Sequence, residues 1–178
     1  MALFLSILRG INVNGVRKVP MAQLKAVYES LGFTGVVTYI QSGNVVFECS
    51  SAQGLQQKIE QAIREEFGFE VPVIIRTNEE VAQVVSGNPW LKEKEIDVAK
   101  LHVTFLEKEP EEALLAKIEA LEYPPDRFII RGKEIYLHVP ESYGNTKLSN
   151  TFFESKLKIK ATTRNWKTVT KLAEMMGI

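Results

Sequence analysis

The sequence has a single cysteine, Cys49, and only two histidines, His102 and His138. One cysteine excludes an internal disulfide and fits a reducing compartment. Two histidines without a neighbouring cysteine or a clear acid are too few for a metal site. Net charge is absent too. The 22 basic and 22 acidic residues cancel, so no global charge draws the chain to a polyanion. Long apolar runs are lacking, and none approaches the roughly 20 residues a membrane-spanning helix needs. The apolar start, Ala2–Leu8, has no basic region before it and no cleavage site after it. The expectation is a cytoplasmic protein without a membrane partner. Catalytic signatures are missing as well: there is no Gly-x-Ser-x-Gly elbow, no His-Glu-x-x-His and no Cys-x-x-Cys. No catalytic residue, metal or cofactor is therefore assigned. Cys49 follows Glu48, whose carboxylate disfavours a reactive thiolate.

What is present is an ordinary globular composition, 45% hydrophobic and 25% charged over 178 residues. That is enough chain for one domain or two small ones. The neutral total hides an asymmetry. Residues 1–28 carry a net +4 with no acid, residues 29–143 a net −9, and residues 144–178 a net +5. Two basic ends around an acidic centre form one basic face if the termini meet; otherwise they are unevenly charged solvated surfaces.

The pattern of residues 1–88 is β-α-β-β-α-β. Residues 2–8 read as a strand buried on both faces. In that strand Leu3, Leu5 and Ile7 face one side and Phe4 and Leu8 the other, with Ser6 needing a hydrogen bond. Met21–Leu31 is an amphipathic helix closed by Gly32. Val36–Ile40 and Val45–Glu48 form a hairpin about Ser42-Gly43. Ser50 or Ser51 is the expected cap of a helix marked by Leu55, Ile59, Ile63 and Phe67, and Val71–Arg76 is the fourth strand. This is the split βαβ order of a ferredoxin-like α/β plait. Thr77 to Glu80 reads as a capping box opening a short helix, stopped at Ser86-Gly87-Asn88-Pro89. Residues 89–99 read as a charged linker. The order then restarts over residues 100–178: a strand at 101–106, a helix after Pro110, and strands at 128–131 and 134–139. Helices are expected at about 147–157 and 163–176. The expectation is thus an α+β chain of two ferredoxin-like subdomains, the second lacking a clear fourth strand.

Three polar blocks interrupt these elements: LRGINVNG at 8–15, TYIQSGNVV at 38–46 and ATTRNW at 161–166. The first offers Arg9 and Asn12 as donors on a loop that Gly10 lets turn tightly. The second sets Gln41, Ser42 and Asn44 around Gly43 at one tip. In the third, Thr162 or Thr163 is the expected N-cap of the last helix. Arg164 in its first turn opposes the helix dipole unless an anion or an internal carboxylate is near. Each block has a plain alternative: Asn side chains satisfying their own loop, a good turn, and an internally paired arginine. His102, Thr104, Tyr136 and His138 are expected on one sheet face, as polar positions beneath another domain.

Taken together, these blocks and the segment Tyr143–Leu148 resemble a bacterial domain-of-unknown-function family marked by LLRGINVGG-like, TYIQSGNVVF, TKL and TTRNW signatures. The matching blocks run from residue 8 to residue 172. The resemblance implies two ferredoxin-like subdomains and brings no activity with it. The motif positions it carries over are Arg9, Gly10, Asn12, Gln41, Ser42, Gly43, Asn44, Lys147, Thr163, Arg164, Asn165 and Trp166. Two positions depart from the family pattern, Asn14 and Lys158, each standing where glycine is usual. Asn tolerates the positive φ the loop needs.

Three functions fit these features. The first is a binding module for an anionic ligand, a nucleic acid or a phosphate-bearing small molecule, with Arg9, Asn12 and the 162–165 segment converging and Lys147 at the rim. The second is a structural or protein-interaction adaptor whose blocks lock the subdomains. The third is an enzyme of unknown reaction.

Overall fold

In the computed structural model, which describes residues 1–178, the chain forms two compact units. One comprises residues 1–83 with 172–178, the other residues 84–171.

The first unit is built from β1 (Ala2–Leu8), α1 (Met21–Ser30), β2 (Thr34–Tyr39), β3 (Asn44–Cys49), α2 (Leu55–Phe67) and β4 (Val73–Thr77), followed by the start of α3 (Asn78–Ser86). Its antiparallel sheet has the order β2-β3-β1-β4. Strand β1 lies at the centre because it is apolar at nearly every position. Phe4 and Leu8 join the core that α1 and α2 cover, with Tyr28, Phe47 and Ile59. Leu5 and Ile7 alternate to the opposite face and are also buried. Ser6 is satisfied as expected, its Oγ lying 2.7 Å from the Tyr28 Oη. The rings of Phe33 and Phe47 stack at 4.7 Å, with Tyr28 edge-on to Phe47 at 5.3 Å. Burying each such side chain contributes about 1.5–3 kcal/mol. Gly32, just past the end of α1, takes φ +86° and closes the helix as expected. The cap expected of Ser50 or Ser51 at α2 is not made: Gly54, at φ +63°, occupies the N-cap without a side-chain bond. The Ser51 Oγ instead accepts from the Gln53 amide, a local turn that competes with capping. At α3 the capping box forms: Thr77 Oγ1 accepts the Glu80 N–H at 3.2 Å, and Glu80 Oε2 accepts the Thr77 N–H at 2.9 Å.

The second unit runs through a 3-10 turn at Pro89–Lys92, another at Val98–Lys100, then β5 (Leu101–Leu106), α4 (Glu112–Glu119), β6 (Arg127–Arg131), β7 (Glu134–His138), α5 (Asn150–Leu157), β8 (Ala161–Asn165) and the start of α6 (Trp166–Met175). Trp90 is buried, and its indole N–H donates to the Tyr136 carbonyl at 3.0 Å. The sheet order is β6-β7-β5-β8, the same as in the first unit. A fourth strand is therefore present, which corrects the expected helix from residue 163. The run Ala-Thr-Thr-Arg-Asn is rich in β-branched residues, and β5 offers it a free edge. Helix α6 begins only at Trp166, and its first turn is capped by Asn165, whose Oδ1 accepts the Thr168 N–H at 2.8 Å. Neither Thr162 nor Thr163 is the cap. The Thr163 hydroxyl bonds the hydroxyl of Thr104 and the Asn150 Oδ1.

The expected polar face of this sheet is also corrected. Leu101 pairs with His138, and His102 with Leu137. His102 and Thr104 thus share the helix-covered face with Leu137 and Ile135, while Tyr136 and His138 lie on the other. The register is shifted by one residue from the one that would align all four, and a one-residue shift reverses the face. The fold is α+β with two ferredoxin-like subdomains. No helix is long and apolar enough to cross a membrane.

Candidate functional site

In the first unit the glycine loop and the β2–β3 turn meet. Beyond β1, the Leu8 N–H donates to the Gly43 carbonyl at 2.9 Å and the Arg9 N–H to the Pro72 carbonyl at 3.0 Å. Asn12 adopts φ +54°. Its Nδ2 donates to the carbonyls of Val19 and Gln41 at 2.9 and 2.8 Å, and its Oδ1 accepts the Val19 N–H at 2.8 Å. One amide side chain thus closes the loop and ties it to the hairpin. Asn14 and Gly15, at φ +51° and +73°, form a two-residue turn between Val13 and Val16. The departure from glycine at Asn14 leaves the positive φ intact. Gly43 is required twice over. Its φ is +91°, and a Cβ there would lie 2.6 Å from Ile11 Cδ1. Asn44 is buried, its Nδ2 donating to the Tyr39 carbonyl at 2.9 Å and the Ser42 Oγ at 3.1 Å.

The amides of Asn12 and Asn44 are therefore engaged with the protein itself. Around them Arg9 and Ser42 are half-buried, while Gln41, Arg17 and Lys18 are exposed. Val13, Val16 and Ile40 are 54%, 61% and 46% exposed at the same end. Ile40 has φ +52°, a conformation that costs a β-branched residue about 1–2 kcal/mol.

The remaining expected residues belong to the second unit and do not form one cluster. Exposed Lys147 rims a cleft of about 390 Å³ with Glu122, Asp126 and Glu141. Its ammonium lies 5.8 Å from the Tyr123 ring centre. Thr163 is tied to Thr104 and Asn150, and Asn165 caps α6. Arg164 is 8% exposed. Its Nη1 donates to Thr162 Oγ1 and the Thr163 carbonyl, both at 3.0 Å. Burial pulls its pKa down to about 10, with Tyr143 opposing the shift. Arg76 holds the matching place in β4: it is fully buried, and its Nη1 donates to the Ile75 carbonyl at 3.0 Å.

A second cluster was not legible in the sequence. Arg127 makes a bidentate pair with Glu93 at 2.8 and 2.9 Å, and its Nη2 lies 2.9 Å from His138 Nδ1. The guanidinium sits 4.4 Å from the centre of the Trp90 ring. Burial and the neighbouring Arg127 charge hold His138 below its ordinary pKa, so Nδ1 accepts from the guanidinium. His102 is depressed by burial. Its ring stacks on Tyr143 at 4.7 Å, and its buried Nδ1 has no partner. Trp90 and Arg127 line a cleft of about 570 Å³ together with Phe128, Ile129, Ile130 and the 119–126 segment. The turn residues Asn88-Pro89 before Trp90 were the one local signal; the meeting of residues 90, 93, 127 and 138 depends on strand pairing.

No curated protein matches the chain. Among solved structures, the chain is similar to the conserved bacterial protein SP0830 from Streptococcus pneumoniae, with 27% identity, 98% of each chain covered and a TM-score of 0.77. A family model described as a protein of unknown function, DUF1697, matches residues 1–136, and the chain belongs to that family.

Proposed function

We propose that the protein is a binding module for an anionic ligand, a nucleic acid or a phosphate-bearing small molecule, which meets the loop end of the first unit. One observation supports this above the others. Asn12 ties the loop to the hairpin turn, so Arg9, Arg17 and Lys18 are carried on a fixed loop within a stretch, residues 1–28, that contains no acid. The half-exposed Val13, Val16 and Ile40 beside them suit the apolar face of a base or a similar flat group. In this reading Arg9, Gln41 and Ser42 contact the ligand, whereas Asn12 and Asn44 hold the loops that present them. Lys147, Thr163, Arg164 and Asn165 serve the second unit, Arg164 from inside it.

Salt-dependent retention on heparin and on a single-stranded oligonucleotide tests the reading. Three phosphate contacts give a log–log salt slope of about −2 for a single strand. The Arg9→Ala/Arg17→Ala/Lys18→Ala variant should flatten that slope while keeping its melting temperature. Retention unchanged in the triple variant would remove the first unit's loop from the site. An absence of salt-dependent retention in the parent protein would favour the adaptor reading. Turnover in a phosphatase or nuclease screen would favour the enzyme.

A further inference from the structure

Strand β6 is an edge strand, paired on one side only, with β7. The direction of its free backbone groups follows from the ladder. The Leu106 N–H donates to the Lys133 carbonyl and the Val139 N–H to the Lys100 carbonyl. The odd-numbered residues of β7 therefore turn toward β5, and the even-numbered ones, 134, 136 and 138, turn toward their β6 partners Arg131, Ile129 and Arg127. Phe128 and Ile130 consequently aim their N–H and C=O groups away from the sheet.

The 570 Å³ cleft lies along this edge. Four consecutive residues, 127 to 130, line it. Side chains on one face of a strand recur every second residue, so a cleft lined by four in a row follows the backbone edge and not a face. Its lining also includes Pro124 and Pro125, which have no N–H to offer the strand. Its apolar lining comes from both faces of the sheet: Trp90 lies against Arg127, whereas Leu121 and Tyr123 pack with Phe128 and Ile130 against the helix-covered core.

We propose that this groove takes an extended peptide segment that adds a strand to β6, with apolar residues alternating with lysine or arginine. The charge of the groove selects the basic residues. Its lining holds Glu119, Glu122 and Asp126, and its one cation, Arg127, is already paired with Glu93. A second copy of the chain fits poorly. Antiparallel self-pairing centred on Ile129 would set Arg127 opposite Arg131 at both ends, and like charges directly opposite destabilise a strand pair. Strand addition supplies affinity through the main chain and selectivity through alternate side chains.

The test uses the whole protein and two synthetic probes, acetyl-Lys-Val-Lys-Val-Lys-amide and its glutamate counterpart, followed by NMR and amide hydrogen exchange. The lysine probe should slow exchange at the Phe128 and Ile130 amides and leave Ile129 unchanged. The glutamate probe should bind at least about tenfold more weakly, and a lysine probe N-methylated at alternate residues should not bind. Ile130→Pro removes one outward donor at an edge where proline is tolerated and should abolish binding. Glu119→Lys/Glu122→Lys, confined to exposed side chains, should reverse the preference between probes. Equal binding of the lysine, glutamate and N-methylated probes would overturn the proposal. So would unchanged exchange at Phe128 and Ile130 at millimolar peptide, or a dimer of the free protein in which those two amides are already protected.

Discussion

The two units solve one folding problem with one backbone and two chemistries. Leu8 and Leu106 occupy the same place at the end of the central strand, donating to Gly43 and Lys133 respectively. The next amides, of Arg9 and Glu107, donate to Pro72 and Lys160. The ladder is therefore identical where the side chains have opposite charge. After Arg9 comes a long acid-free loop, tied to the hairpin by Asn12. After Glu107 the chain reaches α4 in a few residues. Arg76 and Arg164 mark the same position in the edge strands β4 and β8, both buried and both donating to the preceding carbonyl. The repeat conserves backbone hydrogen bonding, and the loops that close it carry the differences.

The sharpest way to break the equivalence is at the hairpin turn. Gly43→Ala sets a Cβ against Ile11 at positive φ, and strain with overpacking should cost about 2–4 kcal/mol. Lys133→Ala, at the matching position of the second unit, should stay within about 0.5 kcal/mol. Denaturant midpoints of the two variants check this; equal losses would mean the loop–hairpin packing carries no weight.

Cap removal should affect the units alike. Thr77→Ala and Asn165→Ala each delete the side chain that accepts an orphan amide at a helix start following the fourth strand. Each should lower stability by about 1 kcal/mol. A loss confined to one of them would show that the other helix is held by packing alone.

The units should separate in acid. Burial drives the Tyr28 hydroxyl well above its ordinary value of 10.0. The unfolded chain releases that proton first, so Tyr28's contribution is complete below pH 10.0 and declines as pH rises beyond it. His102 and His138 lie below their ordinary 6.5. There the unfolded chain binds the proton first, so stability is present above pH 6.5 and lost as pH falls. Residue-resolved hydrogen exchange should show only the second unit weakening in acid, whereas alkali weakens both, because burial also pushes the Tyr136 hydroxyl of the second unit up to about 12. An NMR titration placing either histidine above 6.5 would contradict the acid arm.

The smallest effect runs the other way. Lys158 closes α5 at φ +60°, where glycine is unstrained. Lys158→Gly should raise the melting temperature through about 0.5–1 kcal/mol of relieved strain, and no gain would mean that the lysine stem packs usefully there.

The ferredoxin-like order of the first unit was legible because its periodicities are local: a near-continuous apolar β1, helical spacing in α2, and a Ser-Gly turn. The capping box at Thr77 was legible for the same reason. Strand β8 was not, because Ala161–Asn165 is five residues long and leads directly into a helix; only its pairing with β5 makes it a strand. The polar residues of the blocks were found, but their partners were not. Asn12 looks like a donor for a ligand until Val19 and Gln41 are seen to take its bonds. The edge groove had no signal at all, since it depends on which residues of β6 are left unpaired.

Composition, spacing and turn chemistry by themselves determined the class of fold, the two strand–helix repeats, the burial of β1 on both faces and the need of Ser6 for a partner. These rest on interactions within a few residues or on simple alternation. Tertiary structure alone decided which face His102 and Tyr136 occupy, that Arg164 is buried in a strand, and that Trp90, Glu93, Arg127 and His138 meet. Register and long-range pairing fix those outcomes, and a one-residue shift would reverse them without altering any local pattern.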